Sequence, residues 1–336
     1  MVEAVTNIDT GNVLDEKRFH SIKAALVNSG GITYIDFKKT LRPHYSKIAF
    51  DITKGWLGIA ACIIAGVYIN TLEAAWLKIL LSFADAVLLG FTVNYLGNFF
   101  HEASHYNIAP AKEQNDLLAN CFLGILQAQH IKHYRQVHWL HHVHLGTPED
   151  TEHSYFTALT PRFFIESLTG IRAARIFLFR SNTAGNGSKE KNTATKKQKL
   201  AMLFAGALFH LSALVIAVIS GQYWLAGIWL LGFGTFFPFF GSLRQLLEHR
   251  GEWARHQNNY FKEPHGKLTR IFSGTAFAAA FGSAGFDRHL LHHLEPQVSY
   301  TNLKELETFL SNTEVAAQLQ KQKTSYLKTF ISLLGK

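Results

Sequence analysis

The sequence predicts an all-α integral membrane protein: a four-helix bundle made of two apolar hairpins, with a cytosolic helical cap carrying a histidine-rich site. Three observations predict it. Four apolar runs are each long enough to cross roughly 30 Å of hydrocarbon at about 1.5 Å per helical residue. Hydrophobic residues make up 48% of the chain against 17% charged, a balance foreign to disordered chains and coiled coils. Eighteen histidines are bunched near the ends of those runs.

The runs cover residues 55–72, 77–100, 200–220 and 223–247. The turns within each pair are too short to be domains, so the chain divides into an amino-terminal segment, 1–54, a membrane domain, 55–306, and a carboxyl-terminal helix or tail, 307–336. The membrane domain contains an insert, 101–199, and a cap, 248–306. Residues 1–54 are mixed polar and charged without the apolar core of a signal peptide, so the amino terminus is expected in the cytosol. Two hairpins then return the insert, the cap and the carboxyl terminus to that side. The basic residues agree: Lys38, Lys39, Arg42 and Lys47 precede the first run, Lys189 to Lys199 precede the third, and Arg250, Arg255, Lys262, Lys267 and Arg270 follow the fourth. Glu73 and Lys78 mark the far face. A bacterial inner membrane and an endoplasmic reticulum both fit. The asymmetry explains the formal charge of +9 better than nucleic acid does, because the basic residues are not interleaved with stacking aromatics.

Within the cytosolic parts, 116–129 and 161–179 have helical apolar spacing suited to the membrane surface. Residues 181–199 (SNTAGNGSKEKNTATKKQK) read as a mobile linker. Residues 272–286 are apolar but broken by Gly274, Gly282 and Gly285, which suggests an interfacial or re-entrant piece. Asp85 lies inside the second run, sixteen residues before His101 and so near the opposite interface. Asn94 and Asn98 share a helical face with His101 and His105, either lining a route to the site or linking helices. Trp139, Trp229, Trp253, Phe99 and Phe100 are candidates for a groove or for an aromatic belt.

The histidines form a constellation. His101-Glu-Ala-Ser-His105 places two imidazoles one turn apart on one helical face. Alone it also fits the H-E-x-x-H pattern of zinc proteases, with Glu102 as general base. His138-Trp-Leu-His141-His142 and His289-Leu-Leu-His292-His293 repeat a second pattern, in which the adjacent pair can reach two neighbouring ions. His249, where the fourth run ends, is a ninth candidate. Cys62 and Cys121 are too few for an iron–sulfur cluster or a four-cysteine zinc site, so nitrogen or oxygen must hold any metal. Eight or nine neutral nitrogens suit two iron ions better than one zinc. Iron at an open site activates dioxygen and attacks unactivated C–H bonds, and at a membrane boundary it meets lipid chains. Metal-bound imidazoles usually donate their other N–H to a carboxylate, for which Glu102, Asp150, Glu152, Glu248 and Asp287 are the candidates. His133 and His144 fall outside the pattern, and His210, mid-span, reads as an interhelical partner.

HEASH, HWLHH and HLLHH, in this order and at these intervals, resemble the three histidine boxes of the membrane fatty acid desaturase superfamily, which also includes hydroxylases, ketolases and alkane monooxygenases. The resemblance runs from about residue 55 to 306, and HHLEPQVSYTNLKEL resembles the segment after the third box. It implies that His101, His105, His138, His141, His142, His289, His292 and His293 are iron ligands. His249 resembles the extra fourth-helix histidine of stearoyl-CoA desaturases. Gln245 stands where those enzymes place an asparagine that joins the site through water, and Glu295 stands where many members have phenylalanine.

The reading that follows is a membrane-bound, oxygen-dependent, non-haem diiron desaturase that introduces a double bond into a fatty acyl chain. A hydroxylase on the same scaffold is the alternative. A zinc metalloprotease using His101, Glu102 and His105 leaves both H-x-x-H-H clusters unexplained. A metal carrier should place ligands inside the spans. The chain lacks a cysteine set, a Gly-rich dinucleotide fingerprint and a His-Pro-Gly-Gly segment. Electrons are therefore expected from a separate ferredoxin or cytochrome b5, steered by the basic face.

Overall fold

Every regular element among the described residues is helical, and β pairing is limited to isolated bridges. The computed structural model describes residues 14–152, 154–176, 194–252, 254, 269–272 and 274–335. Two short helices, α1 (Glu16–Ile22) and α2 (Tyr34–Thr40), precede α3 (Tyr45–Thr71) and α4 (Ala75–Ser104). After α5 (Lys112–Ala119) and α6 (Ile131–His144) come α7 (Pro161–Leu168), α8 (Lys196–Ile219) and α9 (Tyr223–His249). Among the described residues, helices α3, α4, α8 and α9 are the four that are long and apolar enough to cross a membrane.

Each of these helices differs from its apolar run for a local reason. Helix α3 begins at Tyr45, ahead of residue 55, because Asp51 pairs with Lys47 and Lys54 on a turn that also buries Ile48. Helix α4 has 30 residues, about 45 Å, so its last turns project beyond the hydrocarbon thickness and are covered by protein. Helix α8 begins at Lys196, inside the expected linker, because Thr195 and Gln198 form a capping box. Residues 181–193 of that linker lie outside the described residues, as does Trp253.

Helix α9 carries a π turn at Gly232–Phe236, just before Pro238, whose missing N–H cannot continue the ladder. This turn presses on α4. A methyl group on Gly90 would stand 2.3 Å from Phe236 Cβ and 2.8 Å from the Phe236 carbonyl carbon, and one on Gly232 would stand 2.7 Å from Leu89 Cδ2. The two glycines therefore set the distance between α4 and α9.

The cap closes over the ends of these helices. It is built from α10 (Ala276–Phe281), α11 (His289–Leu294), α12 (Leu303–Leu310), α13 (Ala316–Lys321) and α14 (Tyr326–Leu333). Six residues of α10 are too few to span a membrane. Asn98 of α4 donates to the Phe281 carbonyl at 3.3 Å and to Ser283 Oγ at 2.9 Å, fastening the segment to α4. Helix α12 runs through residue 306, where the sequence suggested that the membrane domain ends. Beyond it, Tyr326 stacks on Phe272 at 3.9 Å between ring centroids and joins a core with Leu246 and Phe281. The amino-terminal segment is likewise part of the cap: Leu14, Phe19, Leu26 and Tyr34 share a core with Leu290, Leu291, Leu294 and Phe309.

Replacing Gly90 by alanine is expected to lower stability by roughly 1–3 kcal/mol, because the contact is with backbone that cannot yield cheaply. Gly227, with open space where its Cβ would be, should accept alanine without loss. Thermal unfolding of the two variants in detergent checks the contrast.

Candidate metal centre

Four helices deliver the histidines. Helix α4 ends with His101 and His105, and Tyr106 at φ +63° turns the chain away. Its terminal carbonyls are taken by Arg135 of α6, whose guanidinium donates to Ser104 O at 2.8 Å and Ala103 O at 3.2 Å, pairs with Asp116, and stacks on Tyr106. This one side chain docks the helix of the second box onto the end of the first. Helix α6 supplies His138, His141 and His142, α9 supplies His249 at its last position, and the wholly buried α11 supplies His289, His292 and His293.

The nine imidazoles are buried and fall into two groups. His101, His105, His138, His142 and His292 form one, and His141, His249, His289 and His293 the other; in each, the ring nitrogens lie within 4.8 Å of one another. Neighbouring residues on a helix diverge by about 100°, so His141 and His142 enter different groups, as do His292 and His293. In the first group, His142 Nε2 lies 3.0 Å from His138 Nε2 and 3.2 Å from His292 Nε2. In the second, His289 Nε2 lies 2.8 Å from His249 Nε2 and 3.1 Å from His293 Nε2.

The donor set fits metal ions. Two imidazole nitrogens bound side by side to one ion at about 2.1 Å lie about 3 Å apart, which is the spacing found. His101 Nδ1 and Nε2, His105 Nε2 and His141 Nε2 are buried without a hydrogen-bond partner, and each would cost about 1–3 kcal/mol with nothing to bind. Burial, reinforced by the neighbouring imidazoles, holds His105, His289 and His292 well below the ordinary histidine range and His293 at about 4. They are neutral, as metal ligands must be. Burial opposes protonation of His141 as well, yet Asp150 and Glu152 push it up to about 9.

Carboxylates stand behind the rings. Asp150 Oδ1 lies 2.8 Å from His141 Nδ1, and Asp150 also accepts the hydroxyl proton of Tyr155. Glu152 Oε1 lies 3.3 Å from His138 Nδ1. Its other oxygen accepts from Gln245, whose own Oε1 accepts from Ser154 N at 3.0 Å, so Gln245 fastens the loop after the second box to α9. The remaining candidates do other work. Glu102 accepts the Tyr300 N–H at 2.7 Å, Glu248 pairs with Arg244 at 2.6 Å, and Asp287 pairs with Arg288. Glu295 pairs with Lys23 and Lys38, which explains an acid at that position. His210 links helices through Leu126 O and Trp229 Nε1. His133 and His144 belong to neither group.

The sequence reading missed Glu16. Its Oε1 lies 2.8 Å from His293 Nδ1 and 3.6 Å from His142 Nδ1, although nothing in the spacing of the amino-terminal segment marks it.

A cavity of about 720 Å³ reaches His101 from between α4, α8 and α9, within the size range of small-molecule pockets. Asn94, Asn98, Leu200, Leu203, Phe237 and Gly241 are among its walls. Asn98 thus both lines the cavity and ties α4 to the cap, while Asn94 Nδ2 is buried there without a partner. Of the aromatic candidates, Phe99, Phe100 and Trp229 are core residues and Trp139 is exposed, so Tyr134 and Phe237 shape the cavity in their place.

The family model for fatty acid desaturases matches residues 74–329, which includes all nine histidines. No curated protein matches the chain. Replacing Asp150 by alanine is expected to weaken metal binding about 10- to 100-fold by freeing the His141 ring. The exposed Asp36 should tolerate the same change. Chelator competition followed by elemental analysis compares the two.

Proposed function

The chain belongs to the fatty acid desaturase family, and from that premise we propose that it is an oxygen-dependent diiron desaturase that places a double bond in a fatty acyl chain. The observation that carries the proposal is the division of nine buried imidazoles into groups of five and four beside a cavity between membrane helices. A catalytic zinc uses three protein ligands and keeps one open position. Nine nitrogens in two groups match two ions. His101, His105, His138, His142 and His292 would hold one iron, and His141, His249, His289 and His293 the other. Bound there, the pair supplies activation of dioxygen and removal of hydrogen from an unactivated methylene.

The chain's own residues position the substrate. Leu200, Leu203 and Phe237 give the acyl chain an apolar wall, while Asn94 and Gln245 present polar groups near His101. Burial of the histidines keeps bulk water from the reacting carbon. Both termini and the metal centre face the cytosol in this proposal, where the excess of Lys and Arg attracts an acidic ferredoxin or cytochrome b5 as electron donor.

Expression in a host with a simple lipid profile, followed by mass spectrometry, tests the reaction. The expected product is an acyl chain lacking two hydrogens, absent with His138→Ala or His292→Ala. A mono-hydroxylated chain without new unsaturation would make the protein a hydroxylase. One zinc per chain, with activity surviving both substitutions, would overturn the diiron reading. The cavity generates a further expectation: at Gly241, the one neighbour a Cβ would meet within 4 Å is Asn94 Oδ1, at 3.7 Å. Gly241→Phe should fill the space and lower turnover on the order of 10- to 100-fold, with metal content unchanged by elemental analysis.

A further inference from the structure

We infer that Glu16 is a positioning residue that couples the two halves of the metal centre, an inference that rests on the diiron reading. The argument is geometric. His142 turns its Nε2 toward His138 and His292 of the five-histidine group, and His293 turns its Nε2 toward His289 of the four-histidine group. Both rings turn Nδ1 the other way, toward the same oxygen of Glu16, at 3.6 Å and 2.8 Å. Asp150 and Glu152 each support the Nδ1 of one ring, in one group. Glu16 stands behind a ring from each. A carboxylate accepting Nδ1–H fixes that tautomer, aims the Nε2 lone pair at the ion and raises the ligand's basicity. Glu16 does so directly for His293 at 2.8 Å, and its negative charge, 3.6 Å from His142 Nδ1, acts electrostatically on the ring of the other group.

The placement of Glu16 is held from several directions. Asp15 caps α1 by accepting from Arg18 N at 2.8 Å. Leu14, just before Asp15, donates to Gln322 Oε1 at 3.0 Å, and Gln322 donates back to Leu14 O at 3.3 Å. Phe19 is buried among the leucines of α11, and Lys23 reaches Glu295 at 2.8 Å, two residues past the third box. Glu16 is thus fixed on both sides by contacts that do not involve the metal centre. Its reach to His142 and His293 is a property of the folded cap.

The test uses the full-length protein in detergent, loaded with iron-57, as wild type, Glu16→Gln and Glu16→Ala. Glu16→Gln keeps an acceptor oxygen of the same shape and removes the charge. It is expected to retain both irons but to shift both Mössbauer doublets, because one ligand of each ion becomes less basic. Glu16→Ala is expected to release iron to a chelator about 10- to 100-fold faster at both sites, and Glu16→Gln to recover part of that loss. Loss of one iron with the other doublet unchanged would overturn the coupling. Doublets and release rates like those of wild type in Glu16→Gln would overturn the role altogether, even if Glu16→Ala failed to fold. Wild-type protein that cannot load two irons would instead refute the diiron reading beneath it.

Discussion

Nine imidazoles gathered in a water-poor space are the constraint on which the rest of this structure depends. Ring nitrogens 2.8–3.2 Å apart cannot all satisfy one another, since each neutral ring offers one donor and one acceptor. Cations at the converging lone pairs and acceptors behind the rings would satisfy such a cluster. Much of the surrounding architecture supplies those acceptors or holds the helices that bear the rings. Arg135 on the end of α4, Gln245 on the loop after the second box, and the paired lysines on Glu295 all serve that end.

The membrane helices set where the cluster sits. Helix α4 outruns the hydrocarbon thickness, so its histidines stand above the lipid while the same helix forms part of the cavity wall below them. Close contact of α4 and α9 at Gly90 and Gly232 fixes the spacing of two cavity walls. By contrast, α8 buries little beyond Gly206 and Ala217 and forms the outer wall facing lipid.

What the sequence disclosed and what it withheld follow from range. The four spans and the three boxes were legible because covalent spacing determines them: intervals of three and four place histidines on one face, and adjacent pairs diverge. The all-helical fold followed from run length. The helix ends did not, because charge pairs on α3 and a capping box on α8 carry them past the limits of hydropathy. Contacts set by tertiary docking left no local trace. Glu16 is separated from His293 by most of the chain, and Glu295 looked anomalous until Lys23 and Lys38 were found beside it. Of five carboxylates beside the boxes, Asp150 and Glu152 were the ones that support rings through Nδ1, a choice that depends on loop conformation and that no spacing encodes.

The reciprocal pair between Leu14 and Gln322 has a consequence for biosynthesis. The ribosome delivers residue 14 before, and residue 322 after, all four apolar helices. The clasp that seats α1 therefore forms only after the four apolar helices and residue 322 have been synthesised. A nascent chain passes through a stage in which its histidines are present but unroofed, open to whatever ions the cell offers, and closure of the clasp ends that stage.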